Sequence, residues 1–243
     1  MEVLGVAYHW TPARQAQWQR WADRLGAQLT LLHNHSDRAN QPTYVGNTHF
    51  EFSAYAAAAR HGRTDGPYIV VNDTLLDRHA SGLWARWLLV NRNSLNASGV
   101  HCDVYPAPRE RPSEIPDPYA SSWIFYLPTR ADLETLSAAT QQVLDQPAAE
   151  PSPAYRAFFD RWLKHPIPGV GYQGPRTPED LKRKRQTIMW EHALSQLLVT
   201  SNQLRPFTGF RYKALRLIDK VLRRNQLLGT HKKQVTRNQQ PHQ

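Results

Sequence analysis

One cysteine, Cys102, stands in 243 residues, so an intramolecular disulfide and a cysteine-rich zinc site are both excluded. Such usage fits a reducing compartment, and the cytoplasm is the expected location. No apolar stretch approaches the roughly 20 residues of a membrane-spanning helix. The opening run Met1 to Trp10 has neither a basic start nor the apolar length of a signal peptide. Also missing are a Gly-x-x-x-x-Gly-Lys and a Gly-x-Gly-x-x-Gly run, which leaves a P-loop enzyme and a dinucleotide dehydrogenase unsupported. Eleven histidines form no His-x-x-x-His or His-Glu-x-x-His pair, and His33 with His35 reads as readily as a polar loop as a metal pair. The Gly169-Val170-Gly171 pair lies among prolines and reads as a turn.

What is present is ordinary for a folded chain: 40% hydrophobic and 10% aromatic residues, enough for one domain with appendages. Charge is distributed unevenly. Of the net +10, residues 205–243 carry +9, from ten Lys/Arg against the single acid Asp219, and residues 1–204 are nearly neutral. The basicity therefore belongs to the C-terminal segment.

The first third alternates strand-like and helix-like stretches, the pattern of a parallel sheet flanked by helices. Val3 to Tyr8 reads as a strand. Thr11-Pro12 then supplies a cap and a first helical residue for a helix to about Leu25, closed by Gly26. Leu29 to Leu32 is a second strand, Phe50 to Arg60 a helix, and Tyr68 to Val71 a third strand ending at Asn72-Asp73-Thr74. Further on, the pattern predicts a helix over Leu83–Val90, strands near Val100–Val104 and Ser122–Tyr126, and helices over Arg130–Leu144, Tyr155–Leu163, Pro178–Leu198 and Phe207–Leu228. Gln146 to Pro153 reads as a linker, and Trp18, Trp21, Trp84 and Trp87 as core. The expected organisation is a domain over 1–204, a basic amphipathic helical extension over 205–231 and a disordered tail over 232–243. In open α/β sheets ligands sit at the C-terminal strand ends, so a site is expected beside Asn72-Asp73.

Two segments carry a resemblance. Asn47-Thr48-His49-Phe50-Glu51-Phe52-Ser53-Ala54-Tyr55, followed by Ile69-Val70-Val71-Asn72-Asp73-Thr74, resembles the pairing Asn-x-Gly-Tyr/Phe-Asp-Phe-Gly-x-Tyr and strand-Asn-Asp-Ser. That pairing occurs in rhamnan-synthesis and capsular-polysaccharide glycosyltransferases of the GT-A fold, relatives of family 2. The resemblance implies a GT-A-like, Rossmann-like central sheet with a helical C-terminal portion. The implied activity is transfer of a sugar from a nucleotide-diphosphate donor to a surface polysaccharide or lipid-linked glycan. It implies donor binding by Asn34, Asp37, Asn47, Glu51, Asn72 and Asp73. Asp73 would be the ligand of a magnesium or manganese ion that offsets charge on the diphosphate. Glu191 is the implied general base that deprotonates the acceptor hydroxyl. Departures from the family pattern are Val71 where a second acid is expected, His49 for glycine, Glu51 for aspartate and His33 for an acid in the His33-Asn34-His35-Ser36-Asp37 loop.

Simpler readings stand beside these. Asn72-Asp73 also suits an Asx turn after a strand, and Asn47 and Glu51 suit a helix cap and first-turn charge. On a helix over Phe207–Leu228, Lys213, Arg216, Lys220, Arg223 and Arg224 share one arc, and Phe210, Leu217, Ile218, Val221 and Leu222 another. Such a helix lies on an anionic membrane, covers its own domain or binds nucleic acid. Peripheral attachment at the inner membrane face would suit a lipid-linked acceptor. The alternative functions are a non-enzymatic nucleic-acid-binding protein and an inactive transferase fold. Confinement of the charge to one end, with no nucleic-acid motif, argues against the first.

Overall fold

Thr11 is extended (φ −141, ψ 157), its side chain accepts the Arg14 N–H at 3.1 Å, and Pro12 takes a first-turn position, so helix α1 (Pro12–Arg24) begins where local chemistry dictates. Gly26, with φ +59, ends it. This computed structural model describes residues 1–8, 10–106, 111–146, 150–164 and 177–223. The expected tail at 232–243, the helix beyond Arg223, the turn at 169–171 and part of the 146–153 linker lie outside the described residues.

The strands are β1 (Glu2–Ala7), β2 (Gln28–His33), β3 (Tyr68–Asn72), β4 (Val100–Tyr105), β5 (Tyr119–Leu127) and β6 (Leu204–Pro206). The remaining helices are α2 (Glu51–His61), α3 (Thr74–Arg78), α4 (Ser81–Asn91), α5 (Arg130–Asp145), α6 (Pro153–Lys164), α7 (Pro178–Thr200) and α8 (210–223). All six strands join one sheet in the order β2-β1-β3-β5-β4-β6. β1 is parallel to β2 and β3, and β4 is parallel to β6, whereas β5 is antiparallel to both of its neighbours. The sheet is therefore mixed rather than uniformly parallel. No helix crosses over between β4 and β5 among the described residues, and without one the returning strand pairs antiparallel.

Alternation within the strands divides the core into two layers. Leu4, Val6, Tyr68, Val70 and Phe125 face α2, α5 and α7, together with Phe52, Tyr55, Leu133 and Leu194. Val3, Ile69, Val71 and Ile124 face α1 and α4, where Trp18, Trp21, Trp84 and Trp87 are all buried. A smaller cluster of Tyr155, Phe159, Leu163, Ile115 and Ile188 seats α6 against α7.

β6 crosses the 204/205 boundary expected from charge alone, and α8 packs into the second layer through Tyr212 and Leu215. The orientation of α8 is set by buried acids. Asp103, fully buried, accepts the Trp123 indole N–H at 3.1 Å and the Tyr212 hydroxyl, and pairs with Arg216 at 2.8 Å. Asp219, also fully buried, accepts the Ala80 N–H and lies 2.8 Å from His79 Nδ1, and Arg223 lies 3.4 Å away. A buried carboxylate without such partners would be costly, so Asp219 and Arg216 turn toward the body beside Tyr212 and Leu215, and the arc of Phe210, Leu217 and Val221 turns outward.

Candidate functional site

β3 ends in Asn72-Asp73, and both side chains are buried at the C-terminal edge of the sheet. Asn72 Oδ1 accepts the Thr74 N–H at 3.0 Å, the Asx turn that the dipeptide suggests, and its Nδ2 donates to the Tyr55 hydroxyl at 3.0 Å. Asp73 is held from the opposite side. Its Oδ2 accepts the Tyr8 N–H at 2.8 Å, its Oδ1 accepts the Trp18 indole N–H at 3.2 Å, and Arg14 Nε lies 3.4 Å from Oδ1. Arg14 also pairs with Asp77. The residue that follows β1 and the first two turns of α1 thus converge on one carboxylate.

That surrounding tests the implied metal. A carboxylate already accepting two N–H bonds and facing a guanidinium has its charge offset by protein groups, which is a poor start for a divalent ion that needs several oxygen ligands. Among the described residues no three His, Cys, Asp or Glu side chains assemble as a metal-binding set. The donor set as arranged does not fit magnesium or manganese at Asp73.

A second group of residues gathers beside Asn72. Glu51, in the first turn of α2, accepts the Tyr8 hydroxyl. Tyr55, one turn further along α2, donates to the Ser122 carbonyl at the start of β5. Glu191, in the middle of α7, accepts the Ser122 N–H at 2.7 Å. Burial pushes the Glu191 carboxyl above the usual carboxylate range, with the Lys184 charge opposing and the Glu51 charge adding to the rise. Burial, with the Glu51 charge, also pushes the hydroxyls of Tyr8 and Tyr55 well up, so both remain protonated donors. Two glutamates, two tyrosines and an amide from four distant parts of the chain therefore meet at one end of the sheet. A carboxyl held above its ordinary range is a stronger base than a free one toward the proton of a hydroxyl.

The other candidate residues lie around this group with different roles. Asn34 is fully buried just past β2, and its Nδ2 donates to the Phe50 carbonyl. Phe50 has φ +54, a left-handed conformation costing about 1–3 kcal/mol for a non-glycine residue, and Asn34 pins that junction. Among the described residues its Oδ1 is buried without a hydrogen-bond partner. Asp37 sits in a short 3-10 turn with its side chain 80% exposed, near His35 at 3.2 Å, and Asn47 is exposed. Asn47 does not cap α2: the cap position is Phe50, with no side-chain hydrogen bond, while Glu51 does occupy the first turn. The structure thus brings together Asn34, Glu51, Asn72 and Glu191, sets Asp73 in its own cage alongside, and leaves Asp37 and Asn47 at the surface.

Sequence reading missed Tyr8, Arg14, Trp18, Tyr55 and Ser122. Tyr55 lay within reach, four residues after Glu51 on the same helical face. Likewise Arg14 and Trp18 share one face of α1 at the same spacing. A cleft of about 670 Å³ opens elsewhere, beside the start of β4, lined by Trp87, Asn91, His101, Arg205 and Phe210 among others. It contains none of the candidate residues. Comparison of the chain with protein-family models, with curated proteins and with solved structures finds no match.

Proposed function

We propose that the protein is a GT-A-type glycosyltransferase that moves a sugar from a nucleotide-diphosphate donor to a surface polysaccharide or lipid-linked glycan. The observation that carries this reading is the convergence of Glu51, Asn72 and Glu191 at the C-terminal strand ends of a mixed sheet whose single antiparallel strand, β5, is itself part of the site. Glu191 is the proton acceptor for the attacking hydroxyl, its raised pKa matched to that task. Asn72, Glu51 and the exposed Asn47 and Asp37 offer hydrogen-bonding groups to the donor. Positive charge for the diphosphate comes from Arg38, whose guanidinium stacks 3.2 Å over the Trp10 ring in the loops leaving β1 and β2.

A second reading is favoured by the Asp73 cage: a fold of this type that holds no donor. Calorimetric titration of UDP, GDP and dTDP into the wild type and Asp73→Asn, with and without manganese, separates the two. Binding by the wild type that requires manganese and is lost in Asp73→Asn returns Asp73 to the ligand role. Binding indifferent to manganese and to Asp73→Asn leaves the charge to Arg38. No heat with any nucleotide, with or without manganese, removes the transferase reading in favour of the inactive fold.

A further inference from the structure

Helix α8 buries one side and exposes the other. Tyr212, Leu215 and Asp219 are buried, while Phe210, Leu217, Ile218, Val221 and Leu222 are 84%, 65%, 49%, 50% and 39% exposed. At about 100° per residue, Phe210, Leu217 and Val221 fall within about 40° of one another, directly opposite Asp219. Lys213 and Lys220 are exposed along one margin of this ridge and Arg211 along the other. The one acid of the helix, Asp219, is fully buried and points away from the ridge. The outward face is therefore apolar along its crest, cationic at both margins and free of negative charge.

We propose that this face is a docking surface for anionic phospholipid, with Phe210, Leu217 and Val221 entering the headgroup boundary and Arg211, Lys213 and Lys220 meeting the lipid phosphates. An apolar crest with cationic margins is the arrangement that lies in the plane of a bilayer interface, where both components of the surface find partners at once. A second copy of the chain meets the apolar crest but sets Lys213 and Lys220 against like charges in a symmetric pairing. A nucleic acid satisfies the lysines but leaves the most exposed apolar side chains at the centre of a polar contact.

The inference does not rest on sugar transfer, but it bears on the geometry of the strand-end site. Asp219 ties α8 to His79 and Ala80, which follow α3, and α3 begins directly after Asp73. A bilayer beneath the outward ridge thus lies across α8 from the segment that leaves the candidate site, and the two are joined through Asp219. Among the described residues no helix is long and apolar enough to cross a membrane, so attachment through α8 is peripheral.

The test is co-sedimentation of the full chain with vesicles of phosphatidylcholine alone and of equimolar phosphatidylcholine and phosphatidylglycerol. Two double variants accompany the wild type: Leu217→Ser with Val221→Ser, and Lys213→Gln with Lys220→Gln. All four positions are exposed, so both variants should keep the wild-type thermal unfolding curve, which is recorded as a control. The expected result is binding to the anionic vesicles only, weakened about tenfold or more in each variant. No binding by the wild type, or binding that neither variant changes, overturns the proposal. So does a concentration-dependent dimer, lost in the Leu217 and Val221 variant, in a protein that ignores vesicles, for then the face joins two copies.

Discussion

The Tyr8 backbone N–H donates to Asp73 Oδ2 at 2.8 Å across 65 residues of sequence, joining the end of β1 to the end of β3. The Tyr8 hydroxyl donates to Glu51. One residue therefore bridges the two acids nearest to β1, Asp73 through its backbone and Glu51 through its side chain.

Asp73→Ala should cost about 2–4 kcal/mol of stability, because it strands the buried Trp18 indole N–H and the Tyr8 N–H and leaves Arg14 with only Asp77 among these acids. Asp73→Asn, which keeps one acceptor oxygen, should cost less. Urea unfolding monitored by tryptophan fluorescence measures both. Equal midpoints for Asp73→Ala and the wild type would mean that the cage does not form.

Glu191→Gln should raise stability at neutral pH. A carboxyl whose folded pKa lies above its unfolded value keeps its proton in the fold while the unfolded chain has lost it, so stability falls as pH rises past the ordinary carboxylate value. Glutamine retains the acceptor for the Ser122 N–H and has no proton to lose. The gain should disappear below about pH 4, where both states are protonated. If Glu191 is the proton acceptor, the same variant lowers the transfer rate by about 10²–10⁴-fold. Unfolding midpoints that respond identically to pH in both proteins would show that Glu191 ionises normally.

His192, beside Tyr155 and Phe159, has its pKa lowered by burial from 6.5 to about 4, and Tyr155 Oη lies 2.5 Å from its Nδ1. The fold keeps this ring neutral while the unfolded chain takes up a proton below about pH 6.5, so stability drains away as pH falls from about 6.5 to about 4, in total by about 3 kcal/mol. His192→Gln should flatten that part of the stability profile. Denaturation curves at several pH values in this window give the slope directly.

Asp219→Ala should loosen α8 from the body. Its carboxyl is subject to a burial penalty that is outweighed by His79, the Ala80 N–H and Arg223, which together hold it below the usual range. The stability from these contacts is present above the ordinary carboxylate value and lost as pH falls through the lowered folded one. At neutral pH the variant should lose about 2–4 kcal/mol, because it leaves the His79 ring and the Ala80 N–H without their acceptor. Hydrogen exchange should rise over 210–223 more than over β1 or β3, and uniform change across the chain would contradict a local anchoring role.

Much of the scaffold was readable from local patterns. Thr11-Pro12, Gly26 and the apolar runs at β1, β2 and β3 mark elements within a residue or two of their observed bounds. Five-residue α3 and three-residue β6 were not readable, because neither is long enough to display a period. Of the strand-end residues, Asn72 and Glu51 could be placed from the elements that carry them. Glu191 could be named but not positioned, since its place depends on how α7 crosses β5.

Alternation, capping residues and turn glycines act between neighbours in the chain, so composition and order by themselves determined which segments became strands and helices and where most of them begin and end. They also determined that positive charge would concentrate past residue 204. Tertiary structure decided what depends on pairing between distant segments: the reversal of β5, the cage around Asp73, the gathering of Glu51 and Glu191 at one end of the sheet and which side of α8 turns inward. The last follows from Asp103 and Asp219, whose buried charges need partners that only the assembled sheet and helices bring within reach.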